Sequence, residues 1–526
     1  MLAAGLALYP VNRARGADAP DPVLSLMLEK GMITQDEAAK VQAQVDALHT
    51  NEVAQTPYLD SKWKISTGIK DIELYGDLRT RFEDRMENDP SGGKIELERY
   101  RFAARVGLRG DLYDDFYYGF RLETSSNPRS TMVTLGSVNP DPYSKSSDGI
   151  NIGQIYLGWH PESWVDLTAG KMPNPLYTSS MVWSPSINPE GLAEQFKHTV
   201  GEVDLFANFA QFLYEDLNPV FSTGGLGING LTGQENDNLF QVAWQGGLIY
   251  HVTDKLSVKV AATYYQYFGR QPSTSSSGTS LSPYFGDAYV GEGAYAGPLA
   301  NTTANYPVNV NGASGYVSGV TQNGLLGNES SLYPNNQVGL NNLEVVEVPF
   351  EINFKLDHDK LNARLFGDVA YNLDGAARAR AAAAGYAAYL NSIQQSTVTP
   401  FAAQVNENTA YQIGFALGSE DALGLVNGTT AKKHAWELRT YWQHIGQYSL
   451  DPNLLDLDFN AGAENLQGIY AAAAYGFTDN FIGTFRYGYA SRINNQLGTG
   501  GTGTDIPQIN PITQYSIFQI DLTVKF

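Results

Sequence analysis

The 526-residue chain has no cysteine, which excludes disulfides, thiolate metal sites and c-type haem attachment. It has no apolar run long enough, at about 18 residues, to cross a bilayer as a helix. Strands that cross a bilayer alternate and give weak hydropathy, so this absence leaves a membrane barrel open. Positive charge is scarce, with 34 Lys and Arg against 55 Asp and Glu and a net charge of −21. That balance argues against nucleic acid as a partner. Enzyme signatures are missing too: no H-E-x-x-H, P-loop or G-x-S-x-G pattern occurs. Gly225, Gly227 and Gly230 match G-x-G-x-x-G in form only, because no helix follows to receive a phosphate. The seven histidines lack metal-ligand spacing, and His160, His251 and His358 fall at predicted turns. Asp451, Asp456 and Asp458 could hold calcium but read better as a solvated acidic loop. No catalytic residue, metal or cofactor is expected.

Glycine (53), tyrosine (32) and phenylalanine (23) are abundant instead, as many paired strands with tight turns require. From Ile72 the hydrophobic period is two. Ile72, Leu74, Leu78 and Phe82 oppose Glu73, Asp77, Arg79, Arg81 and Glu83. Tyr100, Phe102, Ala104, Val106 and Leu108 oppose Arg99, Arg101, Arg105 and Arg109. Strict alternation makes strands with one apolar and one wet face. Further strands are predicted near 116–124, 151–160, 164–172, 192–199, 203–212, 238–252, 255–269 and 343–356. The rest lie near 360–372, 408–419, 432–446, 464–477, 480–492 and 513–526. The total is about sixteen, an even number as a bacterial membrane barrel requires. In the last strand Phe518, Ile520, Leu522, Val524 and Phe526 share one face, and Gln519, Asp521, Thr523 and Lys525 the other.

Short links recur at 110–115, 160–163, 252–255, 357–360 and 477–480, each followed by an apolar residue that restarts the pattern. Links at 125–150, 173–190, 213–237, 270–342, 373–407 and 494–512 are long and rich in Gly, Ser, Asn and Pro. If the first strand runs outward, every short link is expected on the side of both termini and every long one opposite. Tight periplasmic turns and long extracellular loops are the asymmetry of outer-membrane barrels. Tyr113, Phe116, Trp159, Trp164, Tyr250, Phe477, Phe481 and Phe526 sit beside the short turns, where amphipathic rings favour a membrane boundary. Residues 1–19 read as the tail of a signal peptide with a truncated start, cleaved near Ala17-Asp18-Ala19. Residues 20–68 read as a periplasmic helical hairpin and linker, with Gly31 as a C-cap and Thr34 and Glu37 forming a capping box. The barrel is expected to occupy 69–526.

Charges on a lipid face would cost about 2–4 kcal/mol each near the midplane, so the wet face of each strand must point inward. Arg79, Arg81, Arg99, Arg101, Arg105 and Arg121 then line one wall of a pore, with few matching acids on the second and third strands. Arg364, Arg439 and Arg486 line it elsewhere, interleaved with Glu73, Asp77, Glu83, Glu123, Asp368 and Glu437. A self-satisfied salt-bridged wall is the plainer reading; the functional one is a field across a water-filled pore with a lean towards anions. A barrel this wide needs a loop folded inward. The segment 172–189, holding Tyr177, Met181 and Trp183, is the candidate constriction, and the Ala-rich segment 375–390 with Arg378 and Arg380 is the other.

The Ile72–Thr80 strand (I-E-L-Y-G-D-L-R-T), the Leu167–Pro175 segment (L-T-A-G-K-M-P-N-P) and the C-terminal Phe526 together resemble the putative porin family of Gram-negative outer-membrane β-barrels. The resemblance implies an all-β, antiparallel up-and-down transmembrane barrel and passive diffusion of small hydrophilic solutes. It also implies contact with outer-membrane lipid, insertion by the barrel-assembly machinery through the terminal Phe526, and a possible homotrimer. The alternative is a barrel sheath or scaffold for a partner such as an electron-transfer protein. A hydrolase would need a Ser–His pair near the outer rim, and none is found.

Overall fold

Two-residue alternation becomes a closed antiparallel barrel of sixteen strands in the computed structural model. The structure describes residues 68–88, 93–125, 130–136, 149–215, 239–268, 306–310, 313–317, 343–356, 360–377, 379–380, 402–451, 453–495, 497, 499 and 512–526, with residues 30, 34 and 40. The chain divides into two compact units, Met1–Thr67 and Gly68–Phe526. The expected signal remnant and helical hairpin lie outside the described residues.

The strands are β1 (Glu73–Asn88), β2 (Lys94–Asp111), β3 (Phe116–Ser125), β4 (Gly149–Glu162), β5 (Val165–Lys171) and β6 (Glu190–Val200). Next come β7 (Val203–Glu215), β8 (Leu239–Thr253), β9 (Leu256–Phe268), β10 (Glu344–Glu347 and Phe350–Leu356) and β11 (Leu361–Asn372). The last are β12 (Thr409–Ser419), β13 (Trp436–Ile445), β14 (Leu466–Gly476), β15 (Phe481–Arg492) and β16 (Gln514–Lys525). Each pairs with its sequence neighbour, and β16 closes on β1 from Asp77↔Lys525 to Asn88↔Gln514. Two details depart from the expected pattern. β10 is split because Pro349 has no N–H to give the ladder, although the register on either side is continuous. A two-residue strand, Val133–Thr134, pairs with Arg101 and Phe102 in the middle of β2, beyond its pairing with β3.

The apolar faces point outward. Leu74, Leu78, Val106, Leu108, Leu438, Phe485, Ile520 and Leu522 are all exposed, which in a water-soluble protein would be a large uncovered patch. At the short-turn rim Phe116 stacks on Trp159 at 5.5 Å and Phe477 on Phe481 at 5.2 Å. Phe526 pairs with Gly76 through both backbone bonds, and its ring covers the spot where a Cβ on Gly76 would stand.

One connection overturns the expected sorting of loop lengths. The β12–β13 link spans 420–435 on the short-turn side, and β13 begins at Trp436, not at 432. Its middle does not extend into solvent: Ala422, Leu425 and Val426 are buried in one cluster with Ala472, Ala474 and Ile482 of β14 and β15. The packed interior therefore lies inside the barrel, and is built from links folded into the lumen.

Candidate pore and its constriction

The arginines of β1–β3 point into the barrel because they alternate with lipid-facing Leu74, Leu78, Tyr100, Val106 and Leu108. Arg99 and Arg105 find partners on the adjacent strand β1, and Arg121 finds one on its own strand. Arg99 Nε donates to Glu83 at 2.8 Å, Arg105 Nε to Asp77 at 2.8 Å and Arg121 Nη2 to Glu123 at 2.9 Å. Register explains this, since Glu83 stands opposite Arg99 and Asp77 opposite Arg105. The apparent shortage of acids is thus met by β1 for the second strand and by Glu123 for the third. Arg101 donates to the Met132 carbonyl at 3.0 Å, and Glu73 holds Arg109 at the exposed rim.

Arg81 is the centre of this wall. Its Nε and Nη2 donate to Asp521 at 2.7 and 3.0 Å, and its Nη2 to Asp458 at 3.2 Å. Arg486 also holds Asp521, whereas Arg79 has that carboxylate only at 3.9 Å. Across the lumen Arg364 Nε donates to Asn353 at 2.6 Å, with Glu351 at 3.5 Å. Arg439 is gripped by Glu437 at 2.7 Å.

Two links cross the lumen from the long-loop side. In segment 172–189 Tyr177 exchanges two backbone bonds with the Gln245 amide, at 2.9 and 2.8 Å. Thr178 Oγ1 donates to Glu347 at 2.6 Å, and Ser179 Oγ donates to Asp368. Met181 and Trp183 sink into an apolar cluster with Phe212, Tyr265, Leu450 and Leu454. Tyr177 carries Lys259 over its ring, 3.7 Å from the centroid, and burial raises its phenol pKa well above the usual range. Segment 446–465 enters from the opposite wall and meets the first link where Ser184 N donates to Leu454 O at 2.6 Å.

The second crossing corrects the reading of Asp451, Asp456 and Asp458 as a solvated loop. Asp451 is buried, and Asp458 faces the lumen against Arg81 with 39% of its side chain open. Burial opposes ionisation of Asp458, but Arg81 and Arg486 hold its pKa far below the usual carboxylate range. Asp456 goes the other way: burial, and then the charge of Asp458, push it up to about 7. Of the other candidate constriction, Gly375–Ala377 and Ala379–Arg380 are helical; Arg378 and residues 381–401 lie outside the described residues.

Between these crossings and the arginine wall lies a cavity of about 550 Å³. Arg79, Arg105, Arg121, Arg364, Arg439 and Arg486 face it, against Glu351, Asp456 and Asp458. A second cavity of about 510 Å³ lies beyond Tyr177, lined by Asp166, Lys197 and Lys259 among others. Tyr177 borders both. Arg81, Arg99 and Arg101 are not on the first cavity but behind it, in the ion-pair network, and Asp368 serves as an anchor for the 172–189 link. Glu351 and Lys259 were not singled out by sequence, though Glu351 lies between Phe350 and Ile352 and Lys259 between Val258 and Val260.

A sixteen-stranded barrel with loops folded into a charged lumen defines an outer-membrane channel. Residues 91–526 match the model of the putative porin family, and the chain belongs to that family. No curated protein matches the chain. Among solved structures it is similar to OprB of Pseudomonas putida, at 10% identity and TM-score 0.42, covering 86% of this chain and 94% of that one. An anion-selective porin from Comamonas acidovorans matches at 9% identity and TM-score 0.37, covering 87% and 99%. OmpT, an outer membrane protein of Vibrio cholerae, matches with the same four values.

Proposed function

We propose that this porin passes small hydrophilic solutes by passive diffusion and favours anions. The carrying observation is the central cavity, where six guanidinium groups face three carboxylates. Fixed charges lining a narrow aqueous path raise the local concentration of counter-ions and set selectivity. Asp456, with its pKa near 7, weakens the opposing charge further. The solutes passed are small, because the 172–189 and 446–465 links meet across the lumen.

The same filling speaks against a sheath for a partner polypeptide. An extended chain needs a wide bore, and the 172–189 and 446–465 links narrow the lumen where Ser184 N donates to Leu454 O. Export through the periplasm and assembly as a homotrimer are part of the proposed reading, as the family resemblance implies.

Replacing Arg79, Arg105 and Arg121 together by Gln should reduce anion over cation permeability by roughly threefold or more, if fixed charge sets selectivity. An unchanged reversal potential in planar bilayers under a salt gradient would remove these residues from the pore's selectivity.

A further inference from the structure

We infer that the β12–β13 turn is a second constriction, on the short-turn side, which directs solutes leaving the arginine-lined cavity past Tyr177 and Lys259. The inference rests on the channel reading above. In an outer-membrane barrel, links on this side are usually tight and lie outside the lumen. Here sixteen residues, 420–435, separate two strands that pair directly with each other from Ala410↔Ile445 to Gly418↔Glu437. A hairpin between such strands needs only two to five residues, so the extra length is not required for closure.

The turn is held in place by charge. Glu437, with no exposed surface, accepts the backbone N–H groups of Gly424 and Val426 at 2.9 Å each. Arg486 donates to the Val426 carbonyl at 2.8 Å, and Lys525 to the Gly428 carbonyl. Arg486 is five residues in from Phe481 at the rim, about 17 Å of extended strand. Gly424 and Gly428 have φ of 121° and 67°, a region where a side chain is strained. The neighbouring strand β14 is small at this level: Ala472 and Ala474 are buried in one cluster with Leu425 and Val426, and Gly476 lies against the Lys432 carbonyl. A water-filled lumen gives no reason to bury such residues; a lumen occupied by this turn does.

Its position decides what it controls. Asn427 faces the central cavity and accepts from Arg439 Nη1 at 3.0 Å, and the turn's anchors lie on β13, β15 and β16. The cavity beyond Tyr177 is bounded by β4–β9. The turn therefore obstructs one side of the lower lumen and leaves the Lys259 side open.

Two variants test this in planar bilayers. The first replaces residues 422–431 by an Asn-Gly turn and is expected to raise single-channel conductance roughly twofold, as widening a constriction does. The second, Asn427→Cys, places the only thiol in the chain. Its thiolate attacks 2-sulfonatoethyl methanethiosulfonate, forming a mixed disulfide and releasing methanesulfinate. Applied from the turn side, the added sulfonate should roughly halve anion conductance by narrowing the path and opposing anions. A conducting wild type with neither effect, modification being verified by mass, overturns the inference and leaves the channel standing. A silent wild type beside a conducting shortened variant supports the inference and overturns the open-channel reading. Should the shortened variant fail to fold, the cysteine result alone decides.

Discussion

At the scale of single residues, the lumen is governed by how each charge is partnered. Arg81 joins strand β1, strand β16 and the 446–465 link through Asp521 and Asp458. Removing one member of a buried ion pair leaves the others uncompensated. Arg81→Ala should therefore destabilise the barrel by about 3 kcal/mol, the lower end for a buried pair because Asp458 is partly open. Urea unfolding followed by tryptophan fluorescence should show the lower midpoint; an unchanged midpoint would make Arg81 dispensable. Asp456 gives a pH dependence. Its pKa in the folded chain, about 7 against an ordinary 3.8, means the folded state holds a proton the unfolded state has lost between these values. Its contribution to stability thus falls as pH rises through that window. In the channel, lowering pH from 8 to 6 should neutralise Asp456 and strengthen anion preference. Asp456→Asn should abolish that shift in reversal potential, and persistence of the shift would assign it to another group.

At the scale of elements, strands and links followed different rules, and only one was legible in the chain. Strand positions could be read because lipid permits only an apolar outer face, so every pair such as Leu78 and Arg79 declares its orientation. Even β6, whose alternation is poor, is held by neighbours on both sides. The links obey long-range contacts that no local period records. Arg81 and Asp458 are 377 positions apart, and nothing near Asp458 announces a guanidinium. The β12–β13 turn was hidden in the same way, since Ala422-Leu423-Gly424-Leu425-Val426 resembles the strand preceding it. The 172–189 link is pinned by Thr178 and Ser179 on Glu347 and Asp368, hydrogen bonds worth about 0.5–1.5 kcal/mol each. Thr178→Ala with Ser179→Ala should loosen the link. Open-channel current noise should rise several-fold; noise equal to wild type would show that the apolar anchors Met181 and Trp183 suffice.

At the scale of the whole molecule, an apolar exterior surrounds a charged, partly filled interior. The exterior places the barrel in the outer membrane, where Phe526 lies beside Gly76 at the short-turn rim. The net charge of −21 gives no hint of an anion path, because selectivity depends on which charges face the lumen and which are paired behind it. The wild-type reversal potential across a potassium chloride gradient tests this most directly. We expect stable channels whose zero-current potential takes the sign of chloride preference and moves closer to the chloride equilibrium potential as pH falls from 8 to 6. A potential of the cation-selective sign, or folded protein that forms no channels, would contradict the account.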